Sequence, residues 1–165
     1  MLTIDENLHP DIAPLAWLIG RWEGAGVVGY PTMEESANFG QELVVEHDGR
    51  PFLSWTSRTW ILDESGQKVR PSASESGYWR AAGEGEVELL LAHPTGIVEM
   101  YYGMVEPARI QVRTDSVVRS PSAKEYTAAA RMYGLVGGNL MWVMDMAAMG
   151  ETTTSHVSAE LKRVG

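Results

Sequence analysis

The sequence predicts an all-β fold: an antiparallel up-and-down barrel of about ten strands with one short helix at its N-terminal end, built as a single domain over residues 1–165. Three observations carry this. From Gly20 onward the chain is a succession of short runs rich in Val, Tyr, Trp and Thr, interrupted by turn signals roughly every ten residues. Several runs alternate apolar and polar residues with the period of a strand. Only one stretch looks helical. So many consecutive hairpins leave edges that must be disposed of, and closing the sheet on itself does so most simply.

The helical stretch is Ile12 to Ile19, where Pro14 sits early, Leu15, Leu18 and Ile19 recur at helical spacing, and Gly20 stops the run. It is one or two turns long. Next comes Gly20-Arg21-Trp22-Glu23-Gly24-Ala25-Gly26, followed by Tyr30-Pro31-Thr32. Glycine at alternate positions strips one face of an extended segment, so the backbone can bend, or a flat ligand or a neighbouring strand can come close. Later strands are bounded by His47-Asp48-Gly49, Asp63 to Gly66, Ala82 to Gly85, Pro94 to Gly96, Glu106-Pro107, Gly137 to Asn139 and Met149 to Glu151. Between the last two, Leu140, Trp142, Met144 and Met146 face one way and Met141, Val143 and Asp145 the other. A small barrel of this strand number holds at most one small ligand in its interior or mouth.

Composition narrows the chemistry. With no cysteine, the chain has no disulfide, thiolate nucleophile, iron–sulfur cluster or cysteine-bound zinc. A net charge of −9 with no Lys/Arg cluster argues against nucleic-acid binding. No apolar run approaches the roughly 20 residues of a membrane-spanning helix, and Met1 to Pro10 carries acids in place of a basic, apolar leader. A cytoplasmic location is therefore expected; homodimerisation is left open.

Four histidines are the candidate metal ligands. His9 lies near the N-terminus, His47 in a hairpin turn and His93 at a strand end, where each reads as an ordinary polar residue. His156 lies in the last strand, within Thr154-Ser155-His156-Val157-Ser158-Ala159-Glu160-Leu161. Simple alternation puts it on the polar face with Thr154, Ser158 and Glu160, opposite Val157, Ala159 and Leu161. A bulge near Ser155, or a place at the barrel mouth, would turn it inward. There is no nucleophile elbow, P-loop, dinucleotide fingerprint or His-Glu-x-x-His. The close methionines Met141, Met144, Met146 and Met149 read as a pliable core that also suits a flat apolar guest.

With the glycine–tryptophan motif at the start of such a chain and His156 in its last strand, the sequence resembles the nitrobindins, haem-binding β-barrels distantly similar to the fatty-acid-binding proteins. Further matching blocks are Gly49-x-Pro51-Phe52-Leu53, Glu75 to Arg80, Leu91 to Glu99 and Ser122 to Glu125, so the resemblance spans nearly the whole chain. It implies one ferric haem b at one end of the barrel, with His156 as the axial iron ligand and catalytic centre. It also implies that Thr32 lines the haem, that Lys124 stands near its edge to pair with a propionate, and that Met146 lies on the open side of the iron. Gly20, Trp22, Gly24 and Gly26 are counted with the cofactor-binding residues through the shared motif. The implied activity is nitric oxide binding and isomerisation of peroxynitrite to nitrate. One departure is Ala73, where many relatives carry a pocket-side histidine, leaving that side of the iron less polar or roomier. The alternatives are a metal-free carrier of a small apolar ligand, with Arg58, Arg80 or Arg113 fixing a carboxylate, and a nitric oxide sensor or store whose isomerase activity is incidental.

Overall fold

The computed structural model describes residues 6–29, 37–148 and 154–165. They form ten antiparallel strands in a closed barrel in which each strand pairs with its sequence neighbours and the first pairs with the last. The strands are β1 (Gly20–Val28), β2 (Ala37–Glu46), β3 (Phe52–Leu62), β4 (Lys68–Gly83), β5 (Glu86–His93), β6 (Ile97–Glu106), β7 (Arg109–Arg119), β8 (Tyr126–Val136), β9 (Asn139–Ala148) and β10 (Thr154–Arg163). The turn signals from His47 to Asn139 each mark a junction between strands; the Met149 to Glu151 signal lies outside the described residues. The β7–β8 connection, residues 120–125, contains the Ser122 to Glu125 block.

The N-terminal helix is present but is a 3-10 helix, Pro10–Leu18, with Pro14 inside it. His9 caps it, its Nδ1 accepting from the Asp11 amide at 3.1 Å. The helix plugs one end of the barrel. Ile12, Leu15 and Leu18 are at most 1% exposed, and the Trp22 indole donates to the Leu18 carbonyl at 2.9 Å. Arg163 of β10 locks the plug by donating to the carbonyls of Trp17 and Ile19 while its guanidinium lies 4.1 Å from the centre of the Trp22 ring.

Gly24 and Gly26 pack the β1–β10 seam. A Cβ on Gly24 would stand 2.1 Å from the Glu160 carbonyl oxygen, and one on Gly26 would stand 2.2 Å from that of Ser158. Of the two close approaches open to the glycine motif, these two residues are used for the neighbouring strand.

The middle of the barrel is filled by aromatic rings. Trp55 and Tyr133 meet edge to face at 5.4 Å, Trp79 packs against both, and Tyr133 stacks on Trp142 at 5.7 Å. Among the described residues, the interior hollows lie at the end away from the plug. Because successive strands run antiparallel, that end gathers the C-terminal ends of the odd-numbered strands and the starts of the even-numbered ones.

Candidate functional site

His156 owes its position to an irregularity in the last strand. The β9–β10 ladder runs Thr154 to Met146 and Ser155 to Asp145, then resumes at Val157 to Met144, so His156 is the extra residue of a bulge. Strict alternation would have turned it outward; the bulge turns it into the cavity, half-buried. Its Nδ1 lies 2.9 Å from the Gly29 carbonyl, and the Gly29 amide donates back to the His156 carbonyl at 2.9 Å. A carbonyl only accepts, so Nδ1 carries the proton and the lone pair sits on Nε2. Burial, and secondarily the Arg131 charge, lower the pKa of this imidazole against the opposing Gly29 hydrogen bond. The ring is therefore neutral at neutral pH.

Two hollows meet at this ring. One, of about 80 Å³, is bounded by Val28, Phe39, Ser57, Thr59 and residues 72–75. The other, of about 220 Å³, is bounded by His93, Thr95, Ile97, Glu99, Tyr126, Arg131, Met144 and Met146. His156, Val157, Trp142, Ala73 and Glu75 border both. Trp142 is held flat by Tyr133 and by its indole N–H, which donates to Gln41 at 2.9 Å.

Beneath the larger hollow lies a buried polar cluster. Arg131, whose side chain is 2% exposed, donates twice to Glu75 at 2.8 Å and also to the hydroxyls of Tyr101 and Tyr133. Trp55 adds an indole N–H to Glu75 at 3.0 Å. Glu99 accepts from His93 and from the hydroxyls of Tyr101 and Tyr126. Burial works to raise both carboxyls; Arg131 overrides it at Glu75, and the His93 hydrogen bond with Arg131 and Tyr126 overrides it at Glu99, so both are held below the usual range. The phenols of Tyr101, Tyr126 and Tyr133 are pushed up, chiefly by burial, and stay protonated.

The structure brings Met146 and His156 to the same hollow. Lys124 is exposed on the β7–β8 connection, two residues before Tyr126, with its carbonyl accepting from Arg119. Thr32 lies outside the described residues. Gly20 and Trp22 are not brought to His156: they stand at the plugged end, and Gly24 and Gly26 face the β10 backbone. In the described residues this part of the motif builds the barrel and borders neither hollow. His93, expected to be an ordinary turn histidine, is instead a cavity-wall residue tied to Glu99. Arg58, Arg80 and Arg113 are exposed, and the interior arginine, Arg131, was missed. Its signal was faint: one arginine in Tyr126-Thr127-Ala128-Ala129-Ala130-Arg131-Met132-Tyr133, on the parity of Ala129 and Tyr133.

The chemistry of the site fits haem. Among the described residues no three metal-ligating side chains come together, so a bare ion has no cage. The neutral His156 imidazole, flanked by Phe39, Trp142, Met144, Met146 and Val157, suits a metal that brings its other ligands with it. The model of the THAP4-like, heme-binding beta-barrel domain matches residues 11–163. The chain belongs to this haem-binding barrel family. A Nocardioides protein named peroxynitrite isomerase is 51% identical to it over 160 residues, 97% of each chain. A ferric nitrobindin-like protein of Kineococcus radiotolerans is 48% identical over 93% of each. The crystal structure of Rv2717c from M. tuberculosis superposes with a TM-score of 0.86 at 36% identity, covering 96% of this haem-binding barrel and 99% of that chain.

Proposed function

We propose that this haem-binding barrel holds ferric haem b through His156 Nε2, isomerises peroxynitrite to nitrate and binds nitric oxide. The observation that carries the proposal is the bulged, neutral, Gly29-oriented imidazole at the junction of two hollows. Membership of the haem-binding family, and relatives named peroxynitrite isomerase, support the activity. When bound, ferric haem would supply a Lewis-acidic iron able to take a small ligand.

The chain's own contribution is binding, orientation and exclusion of water. Gly29 fixes the imidazole tautomer, and the bulge aims the ring. Met144, Met146, Val157, Phe39 and Trp142 make a dry wall on which a flat macrocycle can lie. The resemblance of the sequence implies that Lys124 stands near the haem edge and that Thr32 lines the haem. Ala73 borders both hollows and leaves room where many relatives place a histidine. No side chain is required as a general acid or base, which agrees with a cavity whose titratable groups are committed to one another.

Haemin added to the purified protein is expected to give a Soret band that is lost in His156→Ala. Rapid-mixing measurement of peroxynitrite decay should show acceleration by the loaded protein, with nitrate in place of nitration products. Haemin binding that is unchanged in His156→Ala would refute the axial assignment. The metal-free carrier of a carboxylate ligand is disfavoured, because four of the five N–H groups of the interior arginine are spent on Glu75 and two tyrosines and its charge is paired with Glu75.

A further inference from the structure

The barrel wall is not equally closed all round. β7 and β8 pair over only five positions, from Arg109 opposite Gly134 to Arg113 opposite Ala130. Each stays paired on its other side, β7 with β6 as far as Arg119 and β8 with β9 back to Tyr126, so the two strands part without fraying. Both carry a bulge where they part, Asp115 on β7 and Thr127 on β8. Where the ladder would next set Thr114 opposite Ala129, the Ala129 amide donates to the Thr114 hydroxyl at 3.1 Å.

The parting stands between two spaces. Outside, a depression of about 340 Å³ reaches Arg113, Ala130 and Arg131 at the last rung of the ladder. Inside, Tyr126 and Arg131 border the 220 Å³ hollow beside His156. Three consecutive alanines, Ala128 to Ala130, keep the β8 side thin. Behind β7, the Tyr126 hydroxyl donates to Glu99 of β6 and lies 3.3 Å from the Tyr101 hydroxyl. A side-chain hydrogen bond of this kind can break and re-form while the backbone ladders on either side stay intact. We infer that the β7–β8 parting is a side entrance to the hollow beside His156, latched by Tyr126 on Glu99, which passes slender ligands such as nitric oxide and peroxynitrite but not a macrocycle. It rests on the reading that His156 carries the haem iron, and adds the route by which ligands reach it. Arg113 at the outer depression and the Thr114 hydroxyl, which keeps its proton to donate, suit an anion as well as a neutral molecule. A latch changes the barrier between two states and leaves the states themselves alone, so it acts on entry and exit by one factor.

The test uses the ferric haem-loaded protein and azide, followed by stopped-flow at the Soret band. The chain has no cysteine, so Thr114→Cys combined with Ala129→Cys can form one disulfide and no other within the chain. With that crosslink closed, azide association and dissociation should both slow by about tenfold or more, with Kd within about twofold, and both should recover on reduction. Tyr126→Phe keeps the ring and removes the latch. It should speed both rates by about threefold or more at the same Kd, and it decides the matter if the paired cysteines do not fold or join. Haemin uptake, which uses the mouth, should keep its rate in both variants. Unchanged azide rates would mean that ligands enter by the mouth. A Kd that moves through one rate alone would mean that Tyr126 touches the bound ligand, and a crosslink that slows haemin as much as azide would mean general stiffening. Each of these three outcomes overturns the entrance while leaving the haem assignment standing. A Soret band absent from the unsubstituted protein with haemin, or unchanged in His156→Ala, removes the assignment and the entrance with it.

Discussion

At the scale of single residues, the state of His156 sets how cofactor binding should respond to acid. The imidazole must be neutral to ligate a metal. Burial lowers its pKa from 6.5, so protonation begins to compete for Nε2 only below that value. Haemin affinity is thus expected to be flat from neutral pH down to about 6.5 and to fall at lower pH. Equilibrium titrations followed at the Soret band would check this, and an affinity already falling between pH 8 and 7 would contradict it. The same residue shows what a sequence can disclose. Its candidacy as ligand was legible from its place in the last strand and from family resemblance, but its orientation was not. Whether a strand residue faces in or out depends on ladder register, and a single inserted residue reverses the parity without any marker in composition. His93 failed for a related reason, since its partner Glu99 lies across a hairpin and looks like any strand-end acid.

Among the elements, the β1–β10 seam is the most tightly constrained. An alanine methyl at position 24 or 26 would collide with β10 backbone that cannot swing aside as a flexible side chain does. Gly24→Ala and Gly26→Ala should each cost about 1–3 kcal/mol of folding stability by denaturant unfolding. Both variants should still bind haemin once folded, because neither glycine borders a hollow; if a variant of native stability failed to bind, these positions would be contact residues after all. Strand existence and the turns between His47 and Asn139 were readable because Gly, Asn, Asp and Pro punctuate the text at regular intervals. The 3-10 character of the N-terminal segment was not, since a proline-containing run of nine residues satisfies either winding.

For the whole molecule, the Glu75–Arg131–Glu99 cluster is a buried ionic crosslink among β4, β6 and β8, with β3 and β5 adding Trp55 and His93. Removing the cation strands two carboxylates, and breaking such a pair costs about 3–5 kcal/mol. Arg131→Met should accordingly lower the urea midpoint strongly, whereas Arg80→Met, on the exposed face 4.0 Å from Glu88, should shift it little. The cluster also sets the acid limit of the fold. Both carboxyls titrate lower in the folded than in the unfolded chain, so the stabilisation they give is complete above the ordinary value of 4.5 and is lost as pH drops through their depressed folded values. Circular dichroism against pH should show unfolding in that acidic range, with a shallower dependence in Glu75→Gln. Nothing in the sequence marked these partners, because contacts such as Glu75 with Arg131, 56 positions apart, exist only once the ring is built.

The hydrogen bond from His156 to Gly29 joins residues 127 positions apart, across the seam where the first strand meets the last. Closing so long a loop is a late event for a chain dominated by distant pairings. The ligating nitrogen therefore acquires its aim only when the ring is sealed, and intermediates with an open seam would offer haemin a loosely held imidazole. When denatured chains refold with haemin present, native-like absorbance should emerge with the slowest phase of tryptophan fluorescence, making pigment uptake a clock for completion of the fold.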